Sequence, residues 1–441
     1  MIPINSKNIN ALPKTIEIFD YDRGSLLPKI LHVGVGKFHR SHQAYVFNQA
    51  CQIGLNYGIV GLNLLPDPEL EKALKSQDML YTVTELDSDT NKTSLIGSLL
   101  SLETDKTLDS TILRKIELVT CTITQDGYYA DFNTRSIKWA DIPDINIYEV
   151  LASVASLAEN NVMVISCDNI PWNSNLLRSC LYEYLQKKRP DLLKLVDDRL
   201  IFLNSVVDRI TPSITQEYLR FLNEKSIHDR APVFCESYLS WIIEKKENHS
   251  FENLQKVPCL RFVDDIEFHQ NLKLRIFNLS HFALGLLGIS AGIFNLKDVL
   301  LKDEFRVFIE KLIFQEIIPG LNLIDNEEAF LFAVKTIQRF LNPHLVDTCS
   351  RVTRSSQSKI NNLLVPVLEN CRKNRIPSHC LEFLISLWAF LATNGKIDVA
   401  SDNMESAMSL IQAGFFDEIG QITQYFQDLH KAPVETVIKT L

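Results

Sequence analysis

The sequence predicts an α/β chain, with a Rossmann-like, doubly wound N-terminal domain followed by a mainly α-helical C-terminal domain. Three observations carry this. Short apolar runs with the composition of buried parallel strands alternate with helical patterns through the first part of the chain. Several of these runs end in glycines or small polar residues, and ligands of doubly wound sheets collect at such strand ends. After Lys273 strand patterns vanish, and helical patterns continue over 303–318, 326–341, 361–372, 377–393, 403–413 and 415–429. At 441 residues the chain exceeds one ordinary core. The change of character places a boundary after residue 262, giving domains of 1–262 and 263–441 with a cleft expected between them.

Composition narrows the partners. The chain is 46% apolar and 22% charged, with a formal net charge of −9. That balance excludes nucleic acid, which needs a basic face, but leaves room for a small anionic ligand met by a local Arg or Lys. The nine cysteines are scattered, odd in number and lack any CxxC pair, as expected of reduced thiols in the cytoplasm. The polar opening segment is not secretory, and the apolar run from Leu381 to Thr393 is too short and interrupted to span a bilayer. A small-molecule substrate is therefore expected, with no nucleic acid or membrane partner, in a monomer or homodimer.

The elements follow in order. Pro28 to Val33 reads as a buried strand that runs into Gly34-Val35-Gly36, and Lys37 to Cys51 reads as a helix. Strand, glycines and helix make the turn that admits a pyrophosphate. Gly58 to Leu64 is a second strand, followed by Asp67. An acidic residue there accepts ribose hydroxyls of NAD and repels the 2′-phosphate of NADP. Asp67 also suits a helix N-cap, because Pro68 and Glu69 open a helical stretch to Lys75. Further strands are expected over 80–86, 118–124, 161–167 and 200–206, with helices over 146–160 and 172–186. Three of the strands run on into polar residues at Thr124, Asn169 and Asp208; a turn or cap role fits Asp168 and Asn169 equally.

The most unusual stretch is Lys273-Leu274-Arg275-Ile276-Phe277-Asn278-Leu279-Ser280-His281, inside an otherwise apolar segment. At about 100° per residue, Lys273 lies at 0°, His281 at about 80° and Asn278 at about 140°. Three polar groups thus share a face with core residues. A Lys on such a face either snorkels to the surface or is buried for a reason, because desolvation penalises its charged form. Abstracting a hydride from a carbinol develops an alkoxide, which calls for donors aimed at oxygen and a base near neutrality.

Taken together, Gly34-Val35-Gly36-Lys37-Phe38-His39-Arg40-Ser41-His42-Gln43-Ala44, Cys167-Asp168-Asn169, Val207-Asp208-Arg209-Ile210-Thr211-Pro212 and Lys273-x-Arg275-x-x-Asn278-x-Ser280-His281 resemble the mannitol dehydrogenase family over nearly the whole chain. The resemblance implies metal-independent, NAD-linked interconversion of a secondary alcohol and a ketone, with NADP as the other possible cofactor. It implies Lys273 as general acid/base, Asn169 and Asn278 as donors to the reacting oxygen, and His281 as the group that positions the hydroxyl. Phe38, His39 and Arg40 join Gly34, Gly36, Asp67 and Thr124 in the implied cofactor site. Asp208 is implied as a substrate-side residue. In the segment 347–359, Arg351 and Lys359 match the family's second substrate-binding stretch, and Arg354 lies where the far end of a polyol is met; a solvated basic loop is the other reading.

The chain also departs from the family pattern. Leu279 stands in place of Gly, Gln270 in place of a Glu, Gln125-Asp126 in place of Glu-Lys, and Ser355-Ser356 in place of Asp-Gly. A polyol/ketose pair of the mannitol/fructose type is the expected substrate. Reduction of a ketouronate (fructuronate or tagaturonate), with Arg354 pairing its carboxylate, is the alternative, and a catalytically weak dinucleotide-binding relative is a third. No metal site is expected, since no HExxH or paired CxxC occurs.

Overall fold

The computed structural model describes residues 1–87, 91–103, 108–131, 134–246, 253–257, 259–323, 325–397 and 420–441. The chain divides into two compact units, Met1–Ile266 and Glu267–Leu441. The expected helix at 403–413, and the start of that at 415–429, lie outside the described residues.

The first unit is built on a six-stranded sheet. Its elements are β1 (Pro28–Val33), α1 (Lys37–Ser41), α2 (Gln43–Gln52), β2 (Gly58–Leu62), α3 (Pro68–Lys75), β3 (Leu99–Glu103), β4 (Leu118–Cys121), α4 (Ile147–Leu157), β5 (Val162–Ser166), α5 (Asn173–Lys188) and β6 (Leu200–Phe202). Every pair is parallel and the spatial order is β3-β2-β1-β4-β5-β6, the doubly wound dinucleotide-binding order. Alternate residues serve opposite faces. Leu31, Val33, Val119, Val162 and Val164 pack beneath α4 and α5. Ile30, Ile59, Leu118 and Ile165 pack with Ala44, Phe47 and Trp241. A sheet covered on both faces explains why its strands read as unbroken apolar runs.

Two expectations change here. The helix expected from Lys37 breaks at His42, whose backbone leaves helical geometry (φ −114°, ψ −87°). The strand expected over 200–206 is two strands. Residues 200–202 join the main sheet, whereas Ser205–Asp208 pairs antiparallel with Ser240–Glu244 in a separate three-stranded sheet. Buried Asn204 makes the corner, its amide nitrogen donating to Glu244 (2.8 Å) and its oxygen accepting from the Asn175 amide (3.1 Å). Asp208 thus ends a strand of a different sheet from the one that carries Asn169.

The second unit is helical. Its longest element, α6 (Ile266–Ala291), has the length and apolar composition of a membrane span and is mostly buried. It is wound as a π-helix over Leu272–Asn278. Helix α7 spans 303–321, α8 is Asn326–Phe340, α9 is Cys349–Val352, α10 spans 356–373 and α11 is His379–Thr393. Two of these also contain π turns, Leu312–Ile317 in α7 and Ile360–Leu364 in α10. Each is followed two residues later by a proline, Pro319 or Pro366, which cannot supply the amide an α-helix needs there. The π turn of α6 packs against both of the others.

Candidate active site

In the first unit the glycine turn after β1 is held from several sides. Gly34 has φ +98°, and a Cβ there would collide with the Thr122 carbonyl, so only glycine fits. Its carbonyl accepts from Thr122 Oγ1 (2.7 Å), and His32 Nε2 lies 3.2 Å from it. Burial pushes His32 down to about 3, so it is neutral and acts as a fixed hydrogen-bonding strut. The Val35 amide donates to Asn63 Oδ1 (2.7 Å) at the carboxyl end of β2. Gly36, which precedes α1, has nothing within 4 Å of a notional Cβ. The backbone there opens onto free space, which fits a pyrophosphate approaching the turn.

Around this turn the expected cofactor residues separate into two kinds. Phe38 is half-buried and stacks on His42 at 4.9 Å. His39 and Arg40, three and four residues beyond Gly36, are turned into the core by the helical winding. His39 stacks on His32 at 3.4 Å, and burial holds it well below the usual histidine range. Arg40 donates to the Ala231 carbonyl and lies 5.4 Å from the Tyr81 ring. Their side chains brace the turn from behind. Asp67 is exposed and caps α3, accepting from the Leu70 amide at 3.1 Å; its other carboxylate oxygen accepts no bond among the described residues.

Thr124 is exposed with φ +59°. Its amide donates to Asp168 Oδ1 (2.9 Å), the Ile123 amide to Oδ2 (3.2 Å) and Tyr128 Oη to Oδ2 (3.0 Å). Asp168 is therefore the buried anchor that shapes the loop after β4, and burial raises it to about 6 against these hydrogen bonds. Neighbouring Asn169 is exposed, and buried Asn173 locks its loop by donating to the Asp168 and Ser205 carbonyls (both 3.0 Å). Asp208 is buried. Its neighbour Arg209 is buried too, bonding Glu85 (2.5 Å), the Ser41 carbonyl (2.7 Å) and the Glu236 carbonyl (2.9 Å).

In the second unit the π winding corrects the geometry expected of the Lys273 face. A π turn holds about 4.4 residues, or roughly 82° per residue. Asn278 then falls at about 50° from Lys273, and His281 at about −10° after three α steps of about 100°. The three groups share an arc of about 60°, where an α-helix would spread them over about 140°. Lys273 Nζ lies over the Phe277 ring at 3.6 Å, and the Arg339 guanidinium lies 4.3 Å from the same ring. Lys273 is buried and does not snorkel.

His281 stacks on Phe340 (5.0 Å) and leans on Phe277 (5.4 Å). Its Nε2 lies 3.0 Å from Asp347 Oδ2. A carboxylate only accepts, so Nε2 carries the proton and Nδ1 is the acceptor. Burial lowers His281, outweighing the pull of Asp347 toward the charged form, so the ring is neutral near pH 7. Arg351 grips the same carboxylate through Nε (2.6 Å) and Nη2 (2.5 Å), and His281 and Arg351 together hold Asp347 far below the usual carboxylate range.

The expected substrate residues of 351–359 divide accordingly. Arg351 braces Asp347 rather than standing free. Lys359 donates to the Val352 carbonyl (2.5 Å), and burial lowers it to about 8. Arg354 is exposed, and its side chain makes no hydrogen bond or ion pair among the described residues. Leu279 is fully buried as a core residue, and Gln270 is buried as well. Asn63 and Asn173 were not singled out by the sequence, and Arg209 and Asp347, which lie inside the stretches 207–212 and 347–359, were given no bracing role there. Only Asp347 left a signal, its i,i+4 spacing to Arg351. Among the described residues no group of three or more His, Cys, Asp or Glu is placed to hold a metal ion.

The profile of the Mannitol dehydrogenase Rossmann domain matches residues 28–256, and that of the Mannitol dehydrogenase C-terminal domain matches 265–417. The chain belongs to the mannitol dehydrogenase family. Similar family members include the mannitol 2-dehydrogenases of Aspergillus terreus (29% identity; 90% of this chain, 85% of the relative) and Emericella nidulans (29%; 97% and 93%). Among solved structures, the fold is shared with Pseudomonas fluorescens mannitol 2-dehydrogenase in a ternary complex with NAD and D-mannitol (TM-score 0.84, 21% identity, 99% and 98% covered). It is shared also with a substrate-free D-sorbitol dehydrogenase (0.78, 24%, 88% and 84%).

Proposed function

We propose that the chain is an NAD-dependent polyol dehydrogenase that interconverts a sugar alcohol and a ketose of the mannitol/fructose type. The observation that carries this is the arc of Lys273, Asn278 and His281, with His281 held by Asp347 as a neutral acceptor. Similar relatives are named for mannitol, which favours the polyol over a ketouronate. Nine unbridged cysteines support a reducing, cytoplasmic setting.

Residues of the glycine turn, Gly34 and Gly36 with Phe38, would hold the cofactor's pyrophosphate end, and Asp67 would meet its ribose. Bound NAD supplies the acceptor for the hydride that leaves the carbinol carbon. The remaining work belongs to side chains. Nδ1 of His281 accepts a hydrogen bond from a substrate hydroxyl and orients it. Neutral Lys273 takes the proton of the reacting hydroxyl at Nζ, and its ammonium returns that proton to the oxygen in ketone reduction. Asn278 donates its amide N–H to the oxygen as charge develops there. Asn169 and Asp208 keep the roles the family pattern implies, as do Lys359 and Arg354 at the rest of the substrate.

The test is a coupled assay. Mannitol should reduce NAD, and fructose should oxidise NADH, faster than fructuronate or tagaturonate does. Lys273→Ala should lower kcat by about 10³-fold or more, while NADH binding followed by fluorescence stays within about twofold. Undiminished turnover in that variant removes the acid/base assignment, and a faster rate with the uronates removes the polyol.

A further inference from the structure

We infer that Arg275 is a positioning residue, which clamps the π turn bearing Lys273 to the π turn that follows Lys359. The inference rests on the polyol dehydrogenase reading above and deepens it.

The argument starts from a missing amide. In an α-helix the Asn362 carbonyl would accept from the amide of residue 366, but residue 366 is a proline. The chain responds with the π turn Ile360–Leu364, and its carbonyl end needs donors from elsewhere. Arg275 supplies them. Its Nη1 donates to the Asn362 carbonyl and, at 3.0 Å, to the Leu363 carbonyl. By the same winding arithmetic, Arg275 lies about 160° from Lys273, on the opposite side of the turn. The clamp therefore holds the turn from behind and leaves the Lys273 face clear.

The other end of the clamp is functional in the same way. Ile360–Leu364 follows Lys359 directly, and Lys359 is held to the Val352 carbonyl one residue after Arg351. Arg351 in turn grips the carboxylate that sets the His281 tautomer. One guanidinium thus couples the register of the acid/base turn to that of the stretch carrying Lys359 and Arg351. A lysine at 275 offers a single ammonium without the planar fork, so it restores only part of the geometry.

The test uses Arg275→Met, Arg275→Lys, and Arg275→Met combined with Pro366→Ala, which gives Asn362 back a backbone donor. Arg275→Met is expected to raise KM for mannitol about tenfold or more and to lower kcat, because small misplacements at a reacting centre are costly. NADH affinity should stay within about twofold, since the glycine turn lies in the other unit. Arg275→Lys should fall between, and Pro366→Ala should leave most of the loss in kcat/KM in the Met background, because an internal amide satisfies Asn362 without tethering the two turns. A folded Arg275→Met enzyme with unchanged polyol kinetics overturns the inference. So does an equal loss of NADH and polyol affinity, which marks general loosening, and so does full rescue by Pro366→Ala, which marks an unmet carbonyl rather than a lost tether. A wild-type enzyme with no activity on any polyol overturns the underlying reading instead, and is distinguished by that control alone.

Discussion

Two carboxylates decide how much of the chemistry is preset. Asp347 fixes which nitrogen of His281 carries the proton. Asp347→Asn can present its amide N–H to Nε2 and reverse the tautomer, so kcat/KM for the polyol should fall by about 10²-fold or more with NADH binding intact. An unaltered kcat/KM would show that the tautomer is set elsewhere. Asp168 is the opposite case, a buried acid raised to about 6. An unfolded Asp titrates at about 3.9, so between about pH 4 and 6 the folded chain binds more protons than the unfolded one. Stability from this group is therefore full below about pH 4 and declines as pH rises toward 6. Asp168→Asn should flatten that decline in a series of Tm measurements from pH 4 to 7; an unchanged slope would remove Asp168 as its source. The sequence showed Lys273, Asn278 and His281 because polar letters stand out in an apolar run. It hid Asn63 and Asn173, because an Asn that bonds to a backbone loop looks like any other Asn until the loop is in place.

At the scale of elements, five of the six parallel strands were legible because both faces of the sheet are covered and their runs are apolar; Leu99–Glu103, interrupted by Ser101 and ending in Glu103, was not. The corner at Asn204 was not, since Leu203 continues the apolar run across it. The π winding of α6 was also invisible, because no proline within that stretch announces it. Helix α3 carries a separate prediction. Asp67 caps α3, and in the proposed function the same carboxylate also meets the ribose. Asp67→Ser should keep the cap and relax the preference for NAD over NADP, whereas Asp67→Ala should relax it and also cost about 1 kcal/mol of stability. Comparing the kcat/KM ratios and the denaturation midpoints of the two variants separates the roles. If wild type already uses both cofactors equally, the ribose role is removed.

Across the whole molecule, the change from strand-and-helix alternation to helices alone was the most legible feature, because it rests on hundreds of residues rather than on a few letters. Helix α6 shows what bulk reading misses: by composition it passes for a membrane span, yet it is mostly buried inside the chain. Ligand linkage gives a global check on the cofactor. NAD at about 100 times its Kd should stabilise the chain by about 2.7 kcal/mol, seen as a rise in Tm, and NADP at the same concentration should do much less. Equal shifts with the two dinucleotides would count against NAD preference.

The π turn at Leu272–Asn278 also bears on which length changes the chain tolerates. Removing one residue and returning to α winding would leave Asn278 at about 40° from Lys273 (four steps of about 100°), close to where it lies, whereas α winding at full length would swing everything beyond residue 278 by about 90°. In the second case every side chain of the motif would still be present in order, and the site would be gone. In this helix a change of winding at fixed length is thus more damaging than a deletion that α winding absorbs, and the angle between Lys273 and Asn278 identifies an intact site more reliably than the number of residues between them.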